Sequence, residues 1–465
     1  MRKGRVSNIR TIAGIAGLSF GTALVVLDGG IANVALPTIA RDLGTDASAA
    51  VLIVTIYQLV LVMALLPLSA VGERIGLRRL YQGGQVLFAC ASLLAFFAHS
   101  LPFLLIVRML QALGAGAALS VTSAMLRTLY APEHLGRGLG LNSVVVSAAA
   151  ALAPTAGGLI LGVANWPWLF TAAAPLAVFS LALGRFLPNP EPRAEPFDFT
   201  GALLSAATFG LIIGGLESAV HGGSPVVSAA ITGIGGIFAV VLVRNQRRHP
   251  RPVFPVDLLA RPVVALSALG GFVVFVASMT ILISLPFRLE HSFGFTPQQV
   301  GAMIAPWPLT TLFVAPLAGT LSDKYPAGLL GGIGMAIAIA GLLTVAMLPV
   351  HPVYIDIAWR LSLCGAGFGL FMSPNARLIV GSSPRERAAS AGGLVSTLRL
   401  CGQTTGATLV AALLAIGIGG GSVPALVAAG LAMIAGLCSI ARLNPAIRLP
   451  SVVETQKVQP APRLT

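Results

Sequence analysis

The chain has 465 residues, of which 56% are hydrophobic and 9% charged, with a mean hydropathy of +0.90. A soluble domain carries about 25% charged residues, so there is too little polar surface for a water-soluble fold, and the bilayer is the expected solvent. The formal charge of +14 comes with no basic stripe and interleaved aromatics, which argues against a nucleic-acid partner.

Apolar runs long enough to span, about 20 residues each, recur along the whole chain. Fourteen are predicted, at 12–34, 48–71, 80–98, 101–122, 138–162, 167–187, 200–219, 227–243, 263–287, 298–320, 328–349, 353–373, 390–414 and 423–441. The opening MRKGR has the look of a secretion signal. The run behind it is longer than a signal's apolar region and carries an acid, so it is expected to stay as the first span. Basic residues sort by side. With a cytoplasmic N-terminus, 24 of the 29 fall on that face, Arg41 and Arg288 fall outside, and Arg108, Arg360 and Arg399 lie within spans. This positive-inside bias accounts for the net charge and places both termini in the cytoplasm.

In chain order, the first span carries Asp28, in VVLDGGIANVALP (25–37). An acid at a helix centre costs about 2.5–3.5 kcal/mol on insertion scales, so it is expected to face a cavity or a partner. Burial favours the protonated acid and a nearby cation favours the carboxylate; a group held between the two can load and release a proton. The bland alternative is a carboxylate that only ties helices together. Tyr57 and Gln58 in the second span are candidates to line a cavity. The loop AVGERIGLRRLY (70–81) places Glu73 at a helix C-terminus, where the dipole disfavours an anion, beside Arg74, Gly76 and Arg78. Gly76 suits a tight turn.

The fourth span carries Arg108, in LLIVRMLQALGAGA (104–117). Its guanidinium is a fixed positive charge and the expected partner of Asp28. Gly114 and Gly116 would let a neighbouring helix approach closely. In the fifth span, AAALAPTAGGLI (149–160), Pro154 is expected to bend the helix, with Gly157 and Gly158 allowing close packing. Glu217, near the outer end of the seventh span, is expected to be an interfacial carboxylate, with a second titrating site as the alternative. Trp307, and then Arg399 with Gln403 one helical turn on, are further cavity candidates.

The chain also repeats itself. Pro37 and Pro286 each close a span at an offset of 249, Glu73 and Asp323 head similar loops at 250, and Arg108 and Arg360 lie 252 apart. Two related six-helix halves with a cavity between them are expected. The division is 1–11 cytoplasmic N-terminus, 12–187 first half, 188–261 an inserted pair of helices, 262–443 second half, and 444–465 cytoplasmic tail. The four cysteines and six histidines form no disulfide or metal-ligand spacing.

On these residues the chain resembles the major facilitator superfamily, and most of all the fourteen-helix branch of its drug:proton antiporters. LDGGIANVALP, GERIGLRR, RMLQALGAGA, APTAGG, NWPWLF (165–170) and FDFTG (197–201) are similar to that branch's motifs in order and spacing, over about residues 12–443. There are departures: Gly30 stands where the family usually has threonine, Ser69 and Glu73 where the loop has glycine and aspartate, Ala153 where a glycine precedes the proline, and Pro326 where the second loop has glycine. The resemblance implies proton coupling by Asp28 and Arg108. It also implies a cytoplasmic latch of Glu73, Arg74, Gly76 and Arg78, with Asp323 opposite, and an antiporter bend at Pro154, Gly157 and Gly158.

The expectation is therefore an all-α membrane protein with the major facilitator fold, a multi-pass protein of the bacterial cytoplasmic membrane, and a monomer by default. It would not be an enzyme and would need no cofactor, using the proton gradient as its energy source. It would exchange protons for drug-like small molecules. Lipophilic cations are the first expectation, because they would compete with the proton for Asp28. Arginines in the cavity leave neutral or anionic compounds open. A narrow exporter of a metabolite or antibiotic is the nearest alternative. A membrane-embedded enzyme or lipid-handling protein would need a converged nucleophile, metal or acid-base cluster.

Overall fold

The computed structural model describes residues 8–130, 135–188, 198–248, 256–382 and 388–444. The N-terminal basic residues, the loops between those segments, and the tail beyond 444 with its basic residues lie outside the described residues. Among the described residues the regular elements are all helical. The first half contains α1 (Asn8–Asp42), α2 (Ala47–Ile75), α3 (Leu77–Leu94, extended by a 3₁₀ turn at Ala95–Phe97), α4 (Leu101–Leu129), α5 (Leu135–Val163), α6 (Pro167–Thr171) and α7 (Ala173–Gly184). The inserted pair is α8 (Phe199–Val220) and α9 (Pro225–Arg248). The second half contains α10 (Val256–Leu259), α11 (Pro262–Phe293), α12 (Pro297–Ile304), α13 (Pro306–Leu321), α14 (Ala327–Ala346), α15 (Tyr354–Gly381), α16 (Ala388–Ala415) and α17 (Val423–Ala441).

Thirteen stretches among the described residues are helical, long and apolar enough to cross a membrane; α5 adds a shorter apolar stretch, Ala148–Val163. Two expected spans are broken. The sixth divides into α6 and α7, and the tenth into α12 and α13. The second break falls at Ala305, just before Pro306 and Pro308, where proline withholds backbone donors. The opposite correction applies at the repeat's landmarks. Pro37 and Pro286 do not close their spans: α1 runs on to Asp42 and α11 to Phe293. Pro154 likewise lies inside a continuous α5. Buried helices tolerate proline because neighbouring groups re-satisfy the freed carbonyl.

Helices in lipid gain little from the hydrophobic effect between them, so close contact depends on small residues. A Cβ on Gly114 would lie 2.6 Å from the Gly84 carbonyl oxygen, so α3 and α4 meet as closely as two glycines permit. At Gly116 the same atom would find ordinary contacts at 3.4 Å and beyond, so only the first of the two expected glycines is needed for approach. Gly76 forms the whole link between α2 and α3. Its φ of 101° is a conformation that favours glycine, and its N–H bonds back to the Gly72 carbonyl.

The halves meet by exchange of equivalent helices. The second helix of the first half packs on the fifth of the second, α2 on α16, and α5 of the first half packs on α12 and α13. These pairs are swapped by the pseudo-two-fold relation that the 249–252 offsets describe. The contact is uneven along the bundle. At the end far from the chain termini, one apolar cluster joins the halves, with Ile31, Ala35 and Ile39 of α1 against Ile283, Phe287 and Val410. At the terminus end the clusters stay within one half: Leu18, Tyr81 and Leu126 in the first, Val264, Ile379 and Leu394 in the second. The inserted pair packs on itself and lies against α2 and α16, along the seam.

Candidate functional site

A cavity of about 810 Å³ lies between the halves. Its wall runs from mid-bundle down to the terminus ends of the helices, at Val146, Ile379 and Val395. Most of it is aliphatic and aromatic. The polar side chains that matter for recognition are Asn33, Tyr57, Gln58, Arg399 and Gln403, and no acid among the described residues lines it. Pro154 and Trp307 also line it; the Trp307 ring packs on Phe368 with centroids 4.8 Å apart.

Directly behind the wall sits the ion pair. Arg108 Nη1 donates to Asp28 Oδ2 at 2.8 Å, and both side chains are fully buried. The same guanidinium donates from Nε to the Ile53 carbonyl at 3.3 Å and from Nη1 to Gln111 Oε1 at 2.8 Å. Gln111 in turn donates to Ser92 at 2.9 Å. Tyr57 and Phe170 flank the guanidinium, with ring centroids 4.0 and 5.0 Å from Cζ. The Tyr57 hydroxyl reaches the Val25 carbonyl at 3.4 Å. Two polar atoms of the pair have no hydrogen-bond partner, Asp28 Oδ1 and Arg108 Nη2. A buried charge pair with spare hydrogen-bonding capacity is costly, and an unpartnered carboxylate oxygen is a place where a proton can sit.

This geometry corrects one expectation. Asp28 faces a partner, as expected, but it does not line the cavity; Tyr57 stands between them. A cationic substrate was expected because it could reach the charge of Asp28. In this arrangement it meets Tyr57 first, and Arg399 is the charged side chain on the wall.

The far end is sealed by three contacts. Arg41 and Glu290 form an ion pair at 3.0 Å, with Glu290 nearly buried. They stand 249 residues apart, the repeat offset itself, so two equivalent positions meet across the pseudo-two-fold. A Cβ on Gly158 would lie 3.0 Å from Gly301 Cα, pinning α5 to α12, while Gly157 abuts Ile31 of α1. The third contact is on the inserted pair. Glu217 is buried, not interfacial as expected, and accepts a hydrogen bond from Thr408 of α16 at 2.5 Å. His221, one turn on, has Nδ1 2.9 Å from the Glu217 carbonyl oxygen and Nε2 3.2 Å from the Ser48 carbonyl oxygen on α2. Helix α8 thereby bridges α2 of one half and α16 of the other. Thr408→Val keeps the shape and removes the donor to a buried carboxylate, an expected loss of about 1–3 kcal/mol, read as a lower unfolding midpoint in detergent.

The latch residues do not come together. Glu73, Arg74 and Arg78 sit at the α2–α3 turn, and no ion pair joins them to a described residue. Asp323 pairs with Arg377, also of the second half. Arg377 lies 250 residues beyond Arg127, whose side chain is outside the described residues. Arg360, the repeat partner of Arg108, bonds the Thr344 carbonyl and Asp356 of its own helix. Ala277 stands 249 residues on from Asp28, so the second half has no counterpart of the pair at the equivalent positions.

Several residues were missed from sequence. Gln111 had a signal, since it lies three residues after Arg108 on the same helix face. Glu290, Thr408 and Arg442 had none, because their roles depend on contacts 67 to 249 residues away. Arg442 is buried and bound to Ser267, Asn375 and Ser439.

The family model described as Major Facilitator Superfamily matches residues 18–269 and 267–463. The uncharacterized transporter YebQ of Escherichia coli K12 is 42% identical over 91% of this chain and 94% of its own length. The riboflavin transporter RibZ of Clostridioides difficile is 28% identical over 82% and 83%. The methyl viologen resistance protein SmvA of Salmonella typhimurium is 27% identical over 80% and 76%. Among solved structures, a bacterial homolog of the human lysosomal transporter Spinster superposes with a TM-score of 0.70 at 15% identity, covering 96% of this chain and 100% of that one.

Proposed function

The chain belongs to the major facilitator superfamily, and from that premise we propose that it exports lipophilic, drug-like small molecules across the bacterial cytoplasmic membrane in exchange for protons. The observation that carries this reading is the fully buried Asp28–Arg108 pair beside the cavity wall. With the termini in the cytoplasm, as the positive-inside rule has it, the cavity opens to the cytoplasm and the sealed end faces outward.

The cycle uses the chain's own groups. Substrate enters from the terminus side and fills the apolar cavity. Separation of Arg41 from Glu290 and of Gly158 from Gly301 opens the opposite end and releases it. A proton then reaches Asp28 Oδ1, the unpartnered oxygen of the pair. Neutralising Asp28 leaves Arg108 with the Ile53 carbonyl and Gln111 as its remaining partners. Tyr57 lies on that guanidinium and also on the cavity wall, so a shift of Arg108 is felt by bound substrate. Return of the empty, protonated carrier and proton loss to the cytoplasm complete the exchange.

A narrower substrate range is the second reading. It is favoured by similarity to a protein named for one compound, riboflavin, beside one named for resistance to another, methyl viologen. Inside-out vesicles holding the chain, acidified within, separate the two. A panel of dyes, biocides and flavins is added and proton release is followed. Release by many unrelated compounds supports broad export, and release by one chemical class supports the narrow reading. Release by none, with the protein folded and inserted, rejects proton exchange.

A further inference from the structure

Arg399 is the charged side chain on the cavity wall, and it makes no hydrogen bond or ion pair with a described residue. The buried arginines behave differently. Arg108 is held by Asp28, Ile53 and Gln111, and Arg442 by Ser267, Asn375 and Ser439. A guanidinium presents five donors in a fixed fork that matches a carboxylate or sulfonate. Arg399 is half-buried on the cavity wall, so its donors face the cavity, where an acidic substrate can take the place of water.

Its surroundings point the same way. Gln403 lies one turn further along α16 and also lines the cavity. Gln58 Oε1 and Asn33 Oδ1, on α2 and α1, are buried acceptors with no partner, so they suit a donor on the substrate's body and not its acidic head. Arg399 and Tyr57 line the same wall. No carboxylate among the described residues shares the wall, and the ion pair behind it, Asp28 with Arg108, is neutral as a unit. The remaining surface is apolar, from Val274, Phe275 and Leu282 to Phe368 and Met372.

We propose that the cavity selects amphipathic organic anions, with the acidic head on Arg399 and Gln403 and an aromatic or aliphatic body against the apolar wall. This rests on the export reading above and names its substrate class. Anion and proton then bind different groups. Exchange is enforced by the order in which the two ends open, not by competition for a single charge. Sending an anion out while a proton comes in moves two positive charges inward, so a membrane potential that is negative inside aids export as well as a pH gradient does.

The test uses naphthalene dyes with one ring system and three heads: a sulfonate, a neutral amide and a quaternary ammonium. Binding to the purified full-length protein is read by fluorescence, for the native chain, Arg399→Gln and Arg399→Lys. The expected result is a sulfonate preference over ammonium of about tenfold or more, as for charge-assisted hydrogen bonds. It should be lost in Arg399→Gln and partly kept in Arg399→Lys. Equal or tighter ammonium binding, a preference that survives Arg399→Gln, or no binding of any member would overturn the proposal. Because binding needs no gradient, it fails separately from the export reading. If cations drive proton release but anions do not bind, the substrate class is wrong and proton exchange stands. If the sulfonate binds but no compound moves protons, the class stands and the exchange reading falls.

Discussion

Asp28→Asn is expected to abolish substrate-driven proton release in inside-out vesicles while leaving dye binding to the cavity intact. The amide keeps the size of the acid and an oxygen toward Arg108, but it cannot take up a proton near neutral pH. Substrate binding survives because Asp28 does not line the cavity. The substitution also leaves the Arg108 charge buried without its counter-charge, at a cost of about 3–5 kcal/mol. Loss of coupling must therefore be separated from loss of fold. Replacing both members, Asp28→Leu with Arg108→Leu, removes the orphaned charge; pairs replaced by apolar residues are often neutral or stabilising. The double variant is expected to regain most of the unfolding midpoint in detergent and still release no protons. An Asp28→Asn protein that exchanges protons like its parent would move the coupling site elsewhere in the chain.

The second large effect is expected at the seam. A Cβ on Gly301 would lie 2.5 Å from the Pro154 carbonyl oxygen and 2.8 Å from Gly158 Cα, both backbone atoms that cannot step aside. Gly301→Val is therefore a wedge between α5 and α12. Overpacking of this kind costs about 1–3 kcal/mol, and here the cost falls on the state closed at the far end. A bias of that size changes the ratio of the two states by about 5- to 150-fold. The readout is a cysteine at Ala35, buried in the apolar cluster that joins the halves at that end, in a background with Cys90 replaced. Labelling by a membrane-impermeant maleimide from the far side should rise in Gly301→Val and stay low in the parent. Unchanged labelling would mean that the seam is not the closing surface.

The two predictions address different parts of one device. The acid-base pair sits in the first half and has no counterpart at the equivalent positions of the second, which Ala277 and Arg360 occupy. The seam is shared, and there equivalent positions meet, Arg41 with Glu290. Symmetry in the closing surface and asymmetry in the charged interior are compatible. Rocking needs two matched halves, whereas a proton needs only one place to sit.

Much of this was legible in the sequence because it depends on local physics. Segment length and hydropathy set the helices, since backbone polar groups inside a bilayer must be satisfied within the segment. The isolation of Asp28 and Arg108 among apolar residues made them each other's expected partners, because two lone charges in one low-dielectric region are best satisfied together. Gln111 was within reach by helical spacing.

Other features depended on tertiary contact and carried no local mark. That Tyr57 stands between Asp28 and the cavity depends on how α1, α2 and α4 are rotated about their axes. Hydropathy is nearly blind to that rotation in helices apolar on most faces. The burial of Glu217 required knowing that α8 lies on the α2–α16 seam, because a span-end carboxylate reads the same whether it meets headgroups or Thr408. Arg399 drew notice as a polar residue in an oily span, but only the fold decided that it faces the cavity with no partner among the described residues. Composition and helical period dictate which residues must be buried and which charges burial would penalise. Which charges were then paired, and which was left facing a cavity, was decided only when helices hundreds of residues apart met, since pairing depends on distance in space.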